Sequence, residues 1–367
     1  MSAFIIIIAI VYTLFLLFIS IQYLNYSTIN YFELESEKPV SIIICARNEE
    51  KTIAKCLLTI LQQDYPKNLI EIVVINDASI DNTKEIAEKI LKHHKIQYQL
   101  ISNQIKIGKK KSLSNAIEIS KNEIIITRDA DTFTNSKIWL SNLVNFHIQK
   151  NKNFVIAPIM VSDNIGLLWA LQAIETNILT VISIAFNKIK APFLCNGANL
   201  LFTKTLFQNV NGYNSHIETE SGDDVLFLED VKKNNLNTIG FLKSKSSIVY
   251  TYPQKTFFKL IEQRCRWANK FNVNPNKINL VLGIFILCVN AIWIFAFIQS
   301  FFVLKNQHLG LIFIFLKLII DSLLLFLALR FVNNKNLIWY VLPIGLIYPI
   351  YVCIISITSI IFKPKWK

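Results

Sequence analysis

The fold turns on one stretch, Val40-Ser41-Ile42-Ile43-Ile44-Cys45-Ala46-Arg47-Asn48-Glu49-Glu50, and its echo at Glu71-Ile72-Val73-Val74-Ile75-Asn76-Asp77. Each opens as a short continuous apolar run and closes in a polar cluster. An unalternating run of that length reads as a strand buried on both faces, as in a parallel sheet. A helix is expected after the first strand, from Asn48 to about Gln63, with Glu49 and Glu50 in the first turn where the helix dipole favours acids. A second helix is expected over 82–94, a third strand over 98–101, a third helix over 110–120 and a fourth strand over 123–127. That strand ends at Arg128-Asp129-Ala130-Asp131. The alternation predicts an α/β fold with an open, mostly parallel sheet. Such sheets bind ligands beyond the carboxyl ends of their strands. Three polar clusters fall there: Arg47-Asn48-Glu49, Asn76-Asp77 and Asp129-Ala130-Asp131.

The rest of the chain is greasier. Of 367 residues, 53% are hydrophobic and 17% charged, against about 25% charged in an ordinary soluble domain. The mean hydropathy is +0.41. Disorder, a collagen-like chain and a disulfide miniprotein are excluded. Residues 3–24 are almost wholly apolar and long enough to span a bilayer. No Lys or Arg precedes them and no small-residue cleavage site follows, so an uncleaved anchor is expected. Three more spans are expected at about 278–304, 309–329 and 337–362. The net charge of +13 divides into 30 basic and 24 acidic residues over 25–275, or +6, and 8 against 1 elsewhere, or +7. Over half of the excess therefore flanks membrane segments, which points to an anionic leaflet rather than to nucleic acid. The six cysteines form no CxxC pair and read as reduced, buried small hydrophobes.

Candidate chemistry sits at strand ends and in one late motif. No GxGxxG or GxxxxGK[ST] phosphate loop occurs, so metal and cationic side chains must neutralise any phosphate. Asp129 and Asp131 can share a hard divalent cation whose other ligands are diphosphate oxygens. Asp77 suits a base or ribose contact; its structural alternative is a turn or helix cap. Of Lys109, Lys110 and Lys111, Lys109 is expected at a nucleotide; the alternative is a solvated helix start. Asp223 and Asp224, after Ser221-Gly222, open an apolar helix as a general base or simply as dipole-favoured acids. Gln263-Arg264-Cys265-Arg266-Trp267 is the sharpest signal. The chain has 5 Arg against 33 Lys, and two of the five lie here. A random QxxRW is expected roughly 0.003 times at this composition. Arginine suits bidentate phosphate recognition, and Trp267 offers a stacking face for a sugar. The segments 165–186 and 255–270 read as interfacial helices, the first because Gln172 and Glu175 interrupt it, although its 22 residues are also long enough to span. Lys317 and Asp321 share one face of a span and either lock packing or line an acceptor path.

The order of these motifs resembles the membrane-bound inverting glycosyltransferases of family two, of GT-A fold, over about 38–275. The carrying stretches include Asn196-Gly197-Ala198-Asn199 besides those above. The QxxRW is typical of the branch holding cellulose, chitin, hyaluronan and poly-N-acetylglucosamine synthases, and ceramide glucosyltransferases. The resemblance implies a 1–24 transmembrane anchor, a 25–37 linker, a cytoplasmic catalytic domain over 38–275 and a membrane region over 276–367. It implies a multi-pass protein of the cell inner or plasma membrane, a UDP-linked sugar donor, Mg²⁺ or Mn²⁺, and a lipid or glycan acceptor. Asp77, with Arg47, Glu49, Lys109 and Asp129, would bind the donor. Asp131, helped by Asp129, would hold the metal. Asp224 would be the general base, with Asp223 beside it. Gln263, Arg264, Arg266 and Trp267 would bind diphosphate and acceptor. The sequence departs from the pattern at Asn76 and Ala78, at Ser112 and Ser114, and at Asp223. A processive polysaccharide synthase remains an alternative, as does a non-catalytic nucleotide- or lipid-binding module; a transporter reading rests on Lys317 and Asp321 alone. Four spans would put both termini outside, whereas the basic tail 363–367 prefers the inside. Pro343 and Pro349 allow a re-entrant last segment.

Overall fold

The computed structural model describes residues 2–29, 37–219, 222–273, 277–303, 307–332 and 334–362. Most of the expected linker, Ser221 and the basic tail lie outside them. The chain divides into two compact units.

One unit comprises Ser27–Ser162 and Ile189–Tyr252. With numbering along the whole chain, it begins β1 (Val40–Ala46), α2 (Ile53–Leu61), β2 (Ile70–Asn76), α3 (Thr83–His93), β3 (Gln97–Ser102), α4 (Lys109–Ile119) and β4 (Ile124–Asp129). These are the predicted alternating elements. It continues with β5 (Thr132–Phe133), α5 (Trp139–Lys150), β6 (Phe154–Ile156) and β7 (Ile159–Val161). After a long excursion come β8 (Leu200–Thr203), α7 (Lys204–Asn209), α8 (Val225–Asn235), β9 (Ile239–Phe241) and β10 (Val249–Thr251). The main sheet runs β3-β2-β1-β4-β8-β6-β9, with β8 antiparallel to both neighbours and the other pairs parallel. A small sheet, β5-β10-β7, adjoins the end of β4. Ile42, Ile43 and Ile44 are all fully buried, which explains why β1 shows no alternation: helices cover both faces.

Helix α2 starts at Ile53, five residues later than expected. Asn48 adopts a left-handed conformation (φ 54°), which a helix cannot include. Its loop instead zips onto the loop after β2. Asn48 N donates to Ser79 Oγ, Glu49 N to Thr83 Oγ1 and Ile80 N to Asn48 Oδ1.

The other unit gathers α1 (Ser2–Leu24), α6 (Leu167–Lys188), α9 (Phe257–Val273), α10 (Lys277–Ile298), α11 (Gln307–Val332) and α12 (Val341–Ile361). Among the described residues, five helices are long and apolar enough to cross a membrane: α1, α6, α10, α11 and α12. The expected segments are thus all helical, and α6 joins them on length and composition. α12 is one continuous helix through Pro349. Lys317 and Asp321 pair at 2.6 Å, and the Tyr12 hydroxyl donates to the same carboxylate at 2.5 Å, tying α1 to α11. Every polar tip in that cluster has a partner, so its visible role is packing.

Candidate active site

The strand-end carboxylates converge as the sheet rule requires. Asp129 closes β4, and Asp131 sits in the two-residue joint between β4 and β5. Lys109 opens α4 behind Gly108, whose φ of 92° suits glycine. The Lys109 ammonium lies 2.9 Å from Asp129 Oδ1 and 2.9 Å from Asp223 Oδ2. Burial alone would lower the Lys109 pKa. The two carboxylates outweigh it and raise the pKa well above its usual value, so the ammonium stays charged. The neighbouring lysines go elsewhere. Lys110 is buried and donates to His216 O at 2.7 Å, and Lys111 meets Glu218 on the surface at 3.4 Å. Of the three lysines, Lys109 is the one that joins the strand-end carboxylates.

Asp223 and Asp224 are both buried. Asp224 caps α8: its Oδ1 accepts from Val225 N at 2.8 Å, and its Oδ2 accepts from Gly197 N at 3.3 Å. The cap and the candidate base are thus the same carboxylate. Gly197 is forced by space. A Cβ there would lie 2.9 Å from Asp223 Oδ2 and 3.8 Å from Lys109 Nζ. In the same Asn196–Asn199 turn, Asn199 is fully buried. Its amide donates to Pro158 O and Ser247 O, and its Oδ1 accepts from Trp139 Nε1. That motif is a brace that brings a backbone N–H onto Asp224.

Asp131 titrates high, at about 7: burial is the main cause, Asp129 and Glu49 add to it, and Lys109 opposes them. Crowded carboxylates of this kind accumulate negative charge that a divalent cation relieves. Among the described residues, no three His, Cys, Asp or Glu gather around one point. A cation held by Asp131 and Asp129 would therefore take further ligands from a bound phosphate or water, as Mg²⁺ commonly does.

Other expected residues have more structural surroundings. Asp77 is fully buried; its Oδ1 accepts from Asn103 Nδ2 at 2.8 Å and Ile107 N at 2.9 Å, and its Oδ2 from Gly108 N at 3.0 Å. It holds the loop that delivers Lys109. Arg47 Nη1 donates to Asp77 O and Ala78 O, bracing the same turn. Glu49 accepts from Thr52 Oγ1 at 2.7 Å and contributes to the charge around Asp131. Arg128, beside the paired aspartates in sequence, points to the opposite face, buried with its guanidinium 4.5 Å from the Trp139 ring centroid. None of the six cysteines is disulfide-bonded, and burial pushes the Cys45 and Cys56 thiols up to about 12.

In the helical unit, α9 carries the Gln263–Trp267 motif. Arg264 is buried; its Nη2 and Nε lie 2.6 and 2.7 Å from Glu175 Oε2 on α6. Arg266 and Trp267 are half-buried. The two arginines of the motif thus differ: Arg264 is committed to an acid, and burial lowers the Arg266 pKa.

Paired carboxylates and a captive lysine at strand ends, together with this sheet order, define a GT-A glycosyltransferase fold. A mannosyltransferase from Pyrobaculum calidifontis, solved with GDP-Man and Mn²⁺, shares that fold at a TM-score of 0.59, covering 98% of this chain and 96% of that one at 15% identity. Residues 41–208 match the family described as Glycosyl transferase family 2. A poly-beta-1,6-N-acetyl-D-glucosamine synthase from Staphylococcus epidermidis is 24% identical over 260 residues, 71% of this chain and 61% of that protein. A beta-monoglucosyldiacylglycerol synthase from Nostoc is 32% identical over 120 residues, 32% of this chain and 26% of that one. The chain therefore spans under two thirds of the length of these curated relatives.

Proposed function

We propose that this chain is a membrane glycosyltransferase that moves a sugar, with inversion, from a UDP-linked donor to a hydroxyl of a lipid or short glycan. The observation that carries the reading is the charge arrangement Asp129–Lys109–Asp223, flanked by Asp131 and Asp224, in a family 2 domain. Asp224 accepts the proton of the acceptor hydroxyl as its oxygen bonds to the anomeric carbon; the bond from that carbon to the diphosphate breaks, and the diphosphate leaves. The Gly197 and Val225 amides orient the Asp224 carboxylate for that transfer. Lys109 offers its ammonium to the departing charge. A divalent cation on Asp131 and Asp129, Mn²⁺ or Mg²⁺, supplies Lewis-acid neutralisation of the diphosphate when bound. Arg266 and Trp267 retain the diphosphate- and acceptor-binding roles that the QxxRW resemblance implies. The mannosyltransferase solved with GDP-Man and Mn²⁺ supports metal use in this fold.

A processive synthase is the second reading, favoured by the poly-N-acetylglucosamine synthase likeness over 71% of this chain. The shorter but closer glucosyldiacylglycerol synthase likeness favours a lipid acceptor.

Connectivity bears on topology. The chain leaves the sheet unit after β7, runs through α6 and returns to it as β8, which pairs with β4 and β6. Both ends of α6 thus stay on the side of the membrane that holds the sheet. That supports an interfacial α6 and four crossings, by α1, α10, α11 and α12; with the domain taken as cytoplasmic, both termini lie outside. Cysteines placed at Asn164 and Lys190 should react with an impermeant reagent from one side only; labelling from opposite sides would overturn this topology.

The central test is a screen of UDP- and GDP-sugars with Mn²⁺, using wild type and Asp224→Asn. Wild type should transfer from one donor, EDTA should abolish transfer, and Asp224→Asn should lose about 10²-fold or more in kcat. Equal activity of the variant would sink the base assignment. A product ladder on a sizing gel would select the synthase reading, and silence with every donor would select a non-catalytic binding module.

A further inference from the structure

Glu175 interrupts the apolar run of α6, and three helices meet at it. Arg264 of α9 approaches its Oε2 with two nitrogens, Nη2 at 2.6 Å and Nε at 2.7 Å. The Tyr351 hydroxyl of α12 donates to the same oxygen at 3.4 Å. The remaining arm of Arg264, Nη1, donates to Gln263 Oε1 at 2.5 Å. The guanidinium carbon also lies 4.2 Å from the centroid of the Trp267 ring, three residues on along the same helix face. One turn earlier on α6, Gln172 grips the entry to α9: its Oε1 accepts from Gln254 N at 2.7 Å and its Nε2 donates to Gln254 O at 3.1 Å. Cys265 Sγ lies 3.4 Å from Thr358 Oγ1 of α12.

These contacts have one consequence. Arg264 touches both Gln263 and Trp267, two of the three defining QxxRW residues, and its own orientation is set by Glu175. We propose that Glu175 is a positioning residue for the QxxRW motif: it locks Arg264, and Arg264 in turn fixes the Gln263 amide and the Trp267 ring. Arg264 then acts as a hub inside the protein, and Arg266 is left as the motif's ligand-binding cation. The inference rests on the glycosyltransferase reading for its kinetic part only; the Arg264–Trp267 coupling can be read without turnover.

The acid on α6 is 89 residues from Arg264, and its two-nitrogen contact demands a planar fork. Glu175→Gln keeps the shape and removes the charge. Arg264→Lys keeps a charge for Glu175 but loses the fork and the flat face under Trp267. The double swap Glu175→Arg with Arg264→Glu restores an ion pair but removes both holds on the motif. In nanodiscs, the thermal midpoint, the donor KM and kcat, and the ¹⁹F resonance of 5-fluoro-Trp267 (assigned with Trp267→Phe) are measured. Glu175→Gln and Arg264→Lys should each move the resonance. Each should cut kcat by about 10²-fold, the scale of an ångström misplacement, with the donor KM changed about threefold or less. The swap should recover the midpoint but not kcat. Recovery of both, or an unmoved resonance in Arg264→Lys, would reduce the cluster to a structural ion pair and overturn the proposal. If wild type transfers from no donor, the function reading fails while the resonance still decides the positioning claim. If Glu175→Gln fails to fold, Arg264→Lys carries the test.

Discussion

Replacing Lys109 by Met should disrupt the strand-end site in a way that metal can partly mend. Met keeps the length of the lysine's aliphatic stem, with a thioether in place of one methylene, and removes the ammonium. In the native site that ammonium lies 2.9 Å from one oxygen of Asp129 and 2.9 Å from one of Asp223. At an effective dielectric of about 20, unit charges at that separation attract by about 6 kcal/mol before desolvation is subtracted. Breaking a buried pair by deleting one partner costs about 3–5 kcal/mol in practice. Here the Asp129 side chain is 33% exposed, so solvent screens that arm, while that of Asp223 is only 11% exposed. A net loss of about 2–4 kcal/mol follows, or a fall of about 5–10 °C in the thermal midpoint. The variant leaves Asp129, Asp131 and Asp223 without their shared cation. Mn²⁺ should therefore raise the midpoint of Lys109→Met more than that of wild type, where metal competes with the ammonium for Asp129. Transfer should stay low even with metal, because the cation facing the leaving diphosphate is gone. A thermal-shift titration with Mn²⁺ on both proteins reads all of this. A variant as stable as wild type, with the same Mn²⁺ response, would refute the claim that Lys109 is the counter-ion of the site.

Three further outcomes follow from the same geometry. Gly197→Ala puts a Cβ 2.9 Å from Asp223 Oδ2, which Lys109 pins in place; it should cost about 1–3 kcal/mol and lower kcat, and a neutral result by denaturation and kinetics would mean that the loop yields. Ala78 has a φ of 52°, so Ala78→Gly should stabilise the domain by about 1 kcal/mol, checked by the urea midpoint; no gain would show that the turn carries no strain. Burial, and then Lys110, lowers His216 from 6.5 to about 4, so it is neutral in the fold and takes up protons first in the unfolded chain. Its contribution is complete above about pH 6.5 and is lost as pH falls toward 4, by up to about 3 kcal/mol; stability against pH for His216→Gln should be flatter, and parallel curves would sink the assignment.

The sequence announced the first half of the sheet because each strand there is paired with its own helix. Buried isoleucines and turn clusters suffice to mark such units. The second half is different. β8 slots antiparallel between β4 and β6, and its four residues carry no pattern that names their neighbours. The same division runs through the site. Asp129 and Asp131 were legible because a polar pair ending an apolar strand is a local signal. Strand period would also have sent Arg128 to the far face, since alternate residues point to opposite sides. The meeting of Lys109 with Asp223 was not legible, since 114 residues separate them and only the completed sheet closes the gap. Glu175 stands out in the sequence as an acid interrupting an apolar run, which bears on how α6 meets the membrane but does not name its partner. Its partner Arg264 was noticed as a phosphate ligand. A rare arginine signals a demand for a fork of donors, but not whether the acceptor is a ligand or another side chain. The sequence carries no mark of that choice; in the fold Arg264 meets Glu175.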